Sequence, residues 1–198
     1  MKIKEKKLLE LYNKMQDDSS LPLTSRFVAG FGNCNADIIF IGEAPGANEE
    51  KQGLPFVGLS GKRLDLALKS IGLERRDVFI TNMVKKRPPA NRDPKPSEIK
   101  KYRSYLEAEL EIIKPKIIVP LGRIAFSYFF SGYKISEHQG RMIRWGRYCL
   151  LPMYHPSATF RRKKVLEDYL QGFQMLKKLL IKRSLKLELR KDNKNNDL

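Results

Sequence analysis

The run Asp37-Ile38-Ile39-Phe40-Ile41 leads directly into Gly42-Glu43-Ala44-Pro45-Gly46-Ala47-Asn48-Glu49-Glu50. A short block of β-branched and aromatic residues followed by a Gly/Pro-rich turn reads as a buried strand ending in a loop. Three further runs share this character: Val78–Asn82 (VFITN), Lys116–Leu121 (KIIVPL) and Tyr148–Met153 (YCLLPM). Their hydrophobicity is continuous rather than alternating. Strands of that kind are covered on both faces, as in a parallel sheet flanked by helices.

The segments between the runs supply the helices. Gly61–Ile71 sets Leu64, Leu68 and Ile71 on one face, and Gly72 gives it a stop. Ser97–Ile113 reads as a helix with Ser97 as N-cap and Glu98 in its first turn, apolar at Leu106, Leu110 and Ile113, and ended by Pro115. Arg123–Phe130 forms another, Lys163–Leu189 a further helix or a broken pair, and Lys4–Met15 an N-terminal one. The fold class expected is α/β, a three-layer α/β/α sandwich around a central, mainly parallel four-stranded sheet. One domain spans residues 1–189, and the polar stretch 190–198 (RKDNKNNDL) is expected to be a disordered tail.

Thirty-nine Lys and Arg against 22 Asp and Glu leave a net charge of +17 in 198 residues. Such an imbalance implies a polyanionic partner, because neutralised phosphates release condensed counterions. Nucleic acid fits better than a membrane surface. No apolar run has the length of a membrane span, and the first residues lack a signal peptide's pattern, so an intracellular protein is expected. The two cysteines, Cys34 and Cys149, form neither a disulfide framework nor a Cys-x-x-Cys motif.

Chemistry concentrates in three loops that follow candidate strands, where open α/β sheets hold ligands. The first carries Glu43 and Glu49 and continues into Gly53-Leu54-Pro55-Phe56-Val57-Gly58, a stiff segment bearing an aromatic ring suited to stacking on a base. The second, Thr81–Pro94 (TNMVKKRPPANRDP), opens with Asn82, whose amide offers both a donor and an acceptor to a base edge. Its basic residues and prolines resemble a phosphate-contacting rim. The third, Met153–Arg162 (MYHPSATFRR), holds His155 before a proline that restricts its backbone, next to two arginines. His138 lacks such a setting and reads as surface.

Taken together, Gly42–Glu50, Pro55–Gly61, Thr81–Pro94 and His155–Arg161 resemble the signature segments of family 4 uracil-DNA glycosylases, in the same order and at similar spacing. Gly30–Gly42 and Pro115–Gly122 match as well, so the likeness runs from about Arg26 to Leu180. It implies a DNA repair hydrolase that flips uracil out of DNA and cleaves its N-glycosidic bond, leaving an abasic site. By that resemblance Phe56 stacks on the base, and Asn82 donates to O4 and accepts from N3–H. Glu49 crowds C5 against thymine's methyl, and Glu43 with the backbone of Ala44 and Pro45 lines the uracil pocket. His155 faces O2 as a neutral donor to the departing anion. The family 1 relatives carry an aspartate at the position of Ala44, so the water-activating role falls to Glu43 or to Asn91, with Glu43 preferred. Lys85, Arg87, Arg161 and Arg162 are the expected phosphate contacts, and Thr159 or Phe160 the wedge.

One departure stands out. The family binds a four-iron, four-sulfur cluster through four cysteines, whereas this chain has Asp17–Leu21 (DDSSL), Lys86 and Tyr102 at those positions. No cofactor and no metal is therefore expected. Uracil-containing DNA is the expected partner, with no membrane association, no clear sliding-clamp motif and a monomeric state. The resemblance further implies a cytoplasmic, nucleoid-associated prokaryotic enzyme. Two competing readings remain: a non-catalytic nucleic-acid-binding protein of the same fold, and a glycosylase for another deaminated base.

Overall fold

The computed structural model describes the backbone of residues 3–195 and the side chains of residues 3–181. Helix α1 (Ile3–Asp17) comes first, then a short edge strand β1 (Phe31–Gly32) and the central strand β2 (Ile38–Gly42). The loop after β2 holds the one-and-a-half-turn helix α2 (Ala47–Gln52) and leads to α3 (Leu59–Ser70) and β3 (Phe79–Asn82). Next come α4 (Pro96–Ile113), β4 (Ile117–Pro120), α5 (Arg123–Phe129) and the single turn α6 (Ile135–His138). A hairpin of β5 (Ile143–Trp145) and β6 (Tyr148–Leu150) precedes the long helix α7 (Lys163–Asn195).

The six strands lie in the order β1-β3-β2-β4-β6-β5. The inner four, β3, β2, β4 and β6, run parallel, and these are the four expected strands. The four-strand expectation falls short by two, because β1 and β5 add antiparallel edges. Neither edge carries the continuous apolar signature: β1 is only Phe-Gly and exposed, and β5 is at most half-buried. Strand alternation divides the core between the two faces. Ile38, Phe40, Ile117 and Val119 pack against Leu64 and Leu68 of α3 and Tyr169, Phe173 and Leu176 of α7. Ile39, Ile41 and Ile118 face Leu8 of α1, Leu106, Leu110 and Ile113 of α4, and Phe129 of α5. The expected three-layer α/β/α sandwich is the observed architecture.

Helix boundaries differ from expectation at two instructive places. Lys95, not Ser97, precedes the first turn of α4, and Pro96 occupies its first position. Proline suits that position because the first helical N–H has no intrahelical partner. Glu98 Oε2 accepts from Lys95 N at 2.7 Å and closes the turn. Helix α7 is continuous and extends beyond Leu189 to Asn195. Residues 196–198 of the expected tail lie outside the described residues.

The topology sets the position of the site. From β2 the chain moves to β3 on one side, then crosses back over β2 to β4 on the other. Loops at the carboxyl ends of β2 and β4 therefore diverge, and the crevice between them is where such sheets hold ligands. Ladder hydrogen bonds continue past the strand ends: Met83 N donates to Gly42 O at 2.9 Å, Leu121 N to Ile41 O at 2.8 Å and Gly122 N to Met153 O at 2.8 Å. Among the described residues no helix is long and apolar enough to cross a membrane.

Candidate active site

Gly42, the last residue of β2, is the floor on which the site is assembled. A Cβ there would meet Asn82 Oδ1 at 2.4 Å and the Phe56 ring at 2.5 Å. Only hydrogen at this position lets an amide and an aromatic ring approach the same Cα. Phe56 in turn lies 5.8 Å, centroid to centroid, from the His155 ring, tilted by 37°. Phe56 and His155, from two different loops, and Asn82, at the end of β3, converge beside Gly42.

Phe56 is held in a conformation that its own sequence disfavours. Its φ of 55° lies in the left-handed region, which costs a non-glycine residue about 1–2 kcal/mol. The Arg75 guanidinium offsets that by donating to Pro55 O at 3.0 Å and to Phe56 O. Asp65 orients Arg75 through a 2.6 Å ion pair. Helix α3 touches the same peptide, since a Cβ on Gly61 would fall 1.6 Å from Phe56 O. Neither Arg75 nor Gly61 was identified from the sequence. The helix expected from Gly61 begins two residues earlier, at Leu59, which places Gly61 inside its first turn.

Glu49 is bonded on both carboxylate oxygens. Oε1 accepts from Val57 N at 2.9 Å and Gly58 N at 2.8 Å, and Oε2 accepts from Gly46 N at 3.1 Å. It thereby joins the loop after β2 to the segment bearing Phe56. Pro45 is buried beneath this loop, and Ala44 packs on a third apolar cluster formed by Met15, Leu21, Val84 and Tyr102.

Asn82 is 3 % exposed, and its Oδ1 has no hydrogen-bond partner. A buried acceptor left open costs about 1–3 kcal/mol, and this one lies beside Gly42 and the Phe56 ring.

His155 caps the 3-10 turn Pro156–Phe160, and its Nδ1 accepts from Ser157 N at 3.3 Å. An N–H can only donate, so Nδ1 is unprotonated and the neutral ring carries its hydrogen on Nε2. Burial pushes the imidazole down to about 4, against the opposing pull of the Glu49 charge. At neutral pH the side chain is an uncharged Nε2–H donor.

Glu43, directly after β2, turns its carboxylate towards the residues that follow β4. A Cβ on Gly122 would lie 2.6 Å from Glu43 Oε1 and 3.0 Å from His155 Cβ, so Gly122, at φ 94°, makes room for both. Burial raises the Glu43 carboxyl to about 7. The N–H of Ile124, 3.4 Å from Oε1, works against that rise, the Asp93 charge adds to it, and Arg123 opposes it. Asn91, the other residue considered for the water, is exposed on the turn Pro89–Asn91 and accepts from Arg87 Nε at 2.7 Å.

The rim departs from expectation at two positions. Lys85 is 1 % exposed and paired with Glu109 at 2.6 Å, so it contacts no phosphate. Thr159 is buried, its hydroxyl donating to Pro156 O at 2.7 Å, which rules it out as a wedge. Phe160 is half exposed, with Arg63 stacked 4.9 Å over its ring. Arg161 and Arg162 are open to solvent, and Arg87 is half-buried beside Glu50 at 2.9 Å.

At the positions of the family's cluster ligands the chain offers no thiolate. Tyr102 is buried against Met15, Leu21 and Val84 and donates to Pro22 O at 3.3 Å, while Tyr105 donates to Asp18 Oδ2 at 2.6 Å. Cys34 and Cys149 pack into the cores on opposite faces of the sheet. Among the described residues no three His, Cys, Asp or Glu side chains gather as a metal site. The residues present do not fit an iron–sulfur cluster.

A family model described as the uracil DNA glycosylase superfamily matches residues 29–179. The chain belongs to that superfamily. Within it the similarity is to type-4 uracil-DNA glycosylases: the one from Archaeoglobus fulgidus is 43% identical over 164 residues, covering 78% of this chain and 82% of the relative. The type-4 uracil-DNA glycosylase of Thermotoga maritima is 42% identical over 160 residues, 76% and 83% of the two chains. A type-5 uracil-DNA glycosylase from Pyrobaculum aerophilum is more distant, 31% identical over 150 residues, 67% and 66% of the two chains.

Proposed function

We infer that this protein is a DNA repair glycosylase that hydrolyses the N-glycosidic bond of uracil in DNA and leaves an abasic site. The observation that carries the reading in detail is the orphan Oδ1 of Asn82, buried beside Gly42 and the Phe56 ring. Uracil N3–H supplies the donor that this oxygen lacks, and Asn82 Nδ2 donates to O4. Cytosine presents an acceptor at N3 and a donor at C4, so both contacts fail and the amide stays unpaired.

The flipped ring stacks on Phe56. As the glycosidic bond breaks, its electron pair moves onto the base, and His155 Nε2–H donates to O2 of the leaving anion. A fixed neutral donor stabilises that charge without a proton transfer. Glu43 receives a proton from the attacking water, which adds to the sugar's anomeric carbon. Its affinity, poised near neutrality by burial, suits a general base. Burial and position both support Glu43 over Asn91. Glu49 holds the two walls together and restricts the space beside C5. Phe160 fills the gap in the base stack, and Arg161, Arg162 and Arg87 meet phosphates.

The protein carries out this chemistry without an iron–sulfur cluster, with Tyr102 and its apolar neighbours filling that corner. Two measurements test the proposal. Incubation with duplexes differing only in uracil, cytosine or thymine at one position yields alkali-labile sites in the uracil strand alone. The purified protein is colourless, without the visible charge-transfer absorbance of an iron–sulfur cluster. Equal cleavage of all three duplexes, or a broad visible band with stoichiometric iron, contradicts it.

A further inference from the structure

A buried, fully hydrogen-bonded polar cluster lies one layer behind the base-reading amide. We propose that Lys85 is a positioning residue for Asn82, acting with Glu109, Thr81 and Tyr12 as a buried polar frame that fixes the end of β3. This rests on the reading of Asn82 as the residue that recognises uracil.

Lys85 Nζ has three hydrogens and three acceptors: Asn82 O at 2.8 Å, Glu109 Oε2 at 2.6 Å and Thr81 Oγ1. One of those acceptors is the main-chain carbonyl of Asn82 itself, and another belongs to the residue before it. Thr81 Oγ1 passes its own hydrogen to Glu109 Oε1 at 3.1 Å. Tyr12 OH, from α1, donates to the same oxygen at 2.5 Å. The frame therefore binds α1, α4 and the end of β3 together, with Lys85 at 1 % and Glu109 at 0 % exposure.

A buried ion pair is a poor source of stability, since desolvation of two charges offsets their attraction. Its value here is geometric. The Asn82 side chain has no partner for Oδ1 before the base arrives. Its direction is thus set by its own backbone and by packing on Gly42 and Phe56. Locking the carbonyl of residue 82 fixes the peptide plane from which the amide projects. A misplacement of about 1 Å can cost up to about a hundredfold in rate.

The proposal separates cleanly from the phosphate contact that a basic Lys85-Lys86-Arg87 triplet suggests. A phosphate contact acts on DNA affinity and on its salt dependence, lowering the log–log slope by about 1 when removed. A positioning residue acts after binding. Removing Lys85 alone strands the Glu109 charge, so the variant of choice is the neutral pair Lys85→Met/Glu109→Gln. Tyr12→Phe, which takes one donor from Glu109 and leaves the ion pair, is the milder companion. Leu110→Ala, on the same helix but outside the frame, controls for lost stability.

The experiment measures single-turnover uracil release at saturating protein, together with DNA affinity across a salt series. The neutral pair is expected to release uracil at least tenfold more slowly, with affinity within twofold and an unchanged salt slope. Tyr12→Phe is expected to show a two- to fivefold loss, and Leu110→Ala none at a temperature where all are folded. Full-rate release by Tyr12→Phe and the neutral pair overturns the proposal, as does a reduced salt slope. Asn82→Ala run alongside distinguishes the two layers: if it also releases uracil at full rate, the reading of Asn82 fails, and if it is slow while the frame variants are fast, only the role of Lys85 fails.

Discussion

Replacing Glu43 by glutamine should make the protein more stable and less active at the same time. Burial lifts the carboxyl from 4.5 in the unfolded chain to about 7 in the folded one. A group whose affinity for protons rises on folding supports the fold while it is protonated. That support is complete below the unfolded value and is lost as pH climbs through about 7. At ~1.4 kcal/mol for each tenfold change in proton affinity, the ionised carboxylate costs the fold about 3 kcal/mol at pH 8. Partial access to solvent reduces this to about 2 kcal/mol. At pH 5 the cost is under about 1 kcal/mol, because the folded protein keeps Glu43 protonated. Glutamine has the same shape, retains an acceptor for Ile124 N–H, and never ionises. Urea denaturation of both proteins at pH 5 and pH 8 should therefore show a stability gain that grows by roughly 1–2 kcal/mol between the two, equivalent to a few degrees in Tm at this chain length. Single-turnover uracil release should fall by about 100-fold or more, and the wild-type rate should rise with pH to a plateau above about 7. A gain that is absent at pH 8, or equal at both pH values, refutes the burial argument. Full activity of the variant transfers the water to Asn91.

His155 is affected in the opposite direction. Its folded value near 4 lies below the ordinary 6.5, so stability declines as pH falls from 6.5 towards 4, by about 2 kcal/mol at pH 5, and His155→Asn should abolish that decline in a urea series. The rate profile should show no ionisation of the imidazole between pH 5 and 8. Phe160→Ala should slow release from duplex about tenfold and from single strands less than twofold, since only the duplex leaves a gap in a base stack to fill. Tyr102→Ala should cost about 3 kcal/mol in denaturation by opening a cavity among Met15, Leu21 and Val84. Uracil release measured below its lowered Tm should stay within twofold of wild type.

The layers of this fold were legible because parallel strands buried on both faces announce themselves as unbroken apolar runs, and Asp37–Ile41 is such a run. The edges were not. Phe31–Gly32 and Ile143–Trp145 owe their strand conformation to pairing with β3 and β6 rather than to any local pattern. The crevice residues Phe56, Asn82 and His155 were readable from motif order, and the structure brings them together. Lys85 was misread because three consecutive basic residues look alike in sequence, while a chain leaving a strand turns them to different sides. The correcting signal was present elsewhere: Glu109 shares the face of α4 with Tyr102, Leu106, Leu110 and Ile113, all buried. A carboxylate on an apolar stripe requires a buried partner. Arg75 left no such trace, because its carbonyl acceptors at Pro55 and Phe56 are contributed by backbone that only the fold brings near.

A crystal structure of the Glu43→Gln variant bound to a duplex with one uracil tests the central idea most directly. The account predicts the uracil outside the helix, its face on Phe56, N3 within hydrogen-bonding reach of Asn82 Oδ1, and O2 facing His155 Nε2. A uracil still stacked in the duplex, or one seated in the crevice with Asn82 Oδ1 unpaired, would contradict it.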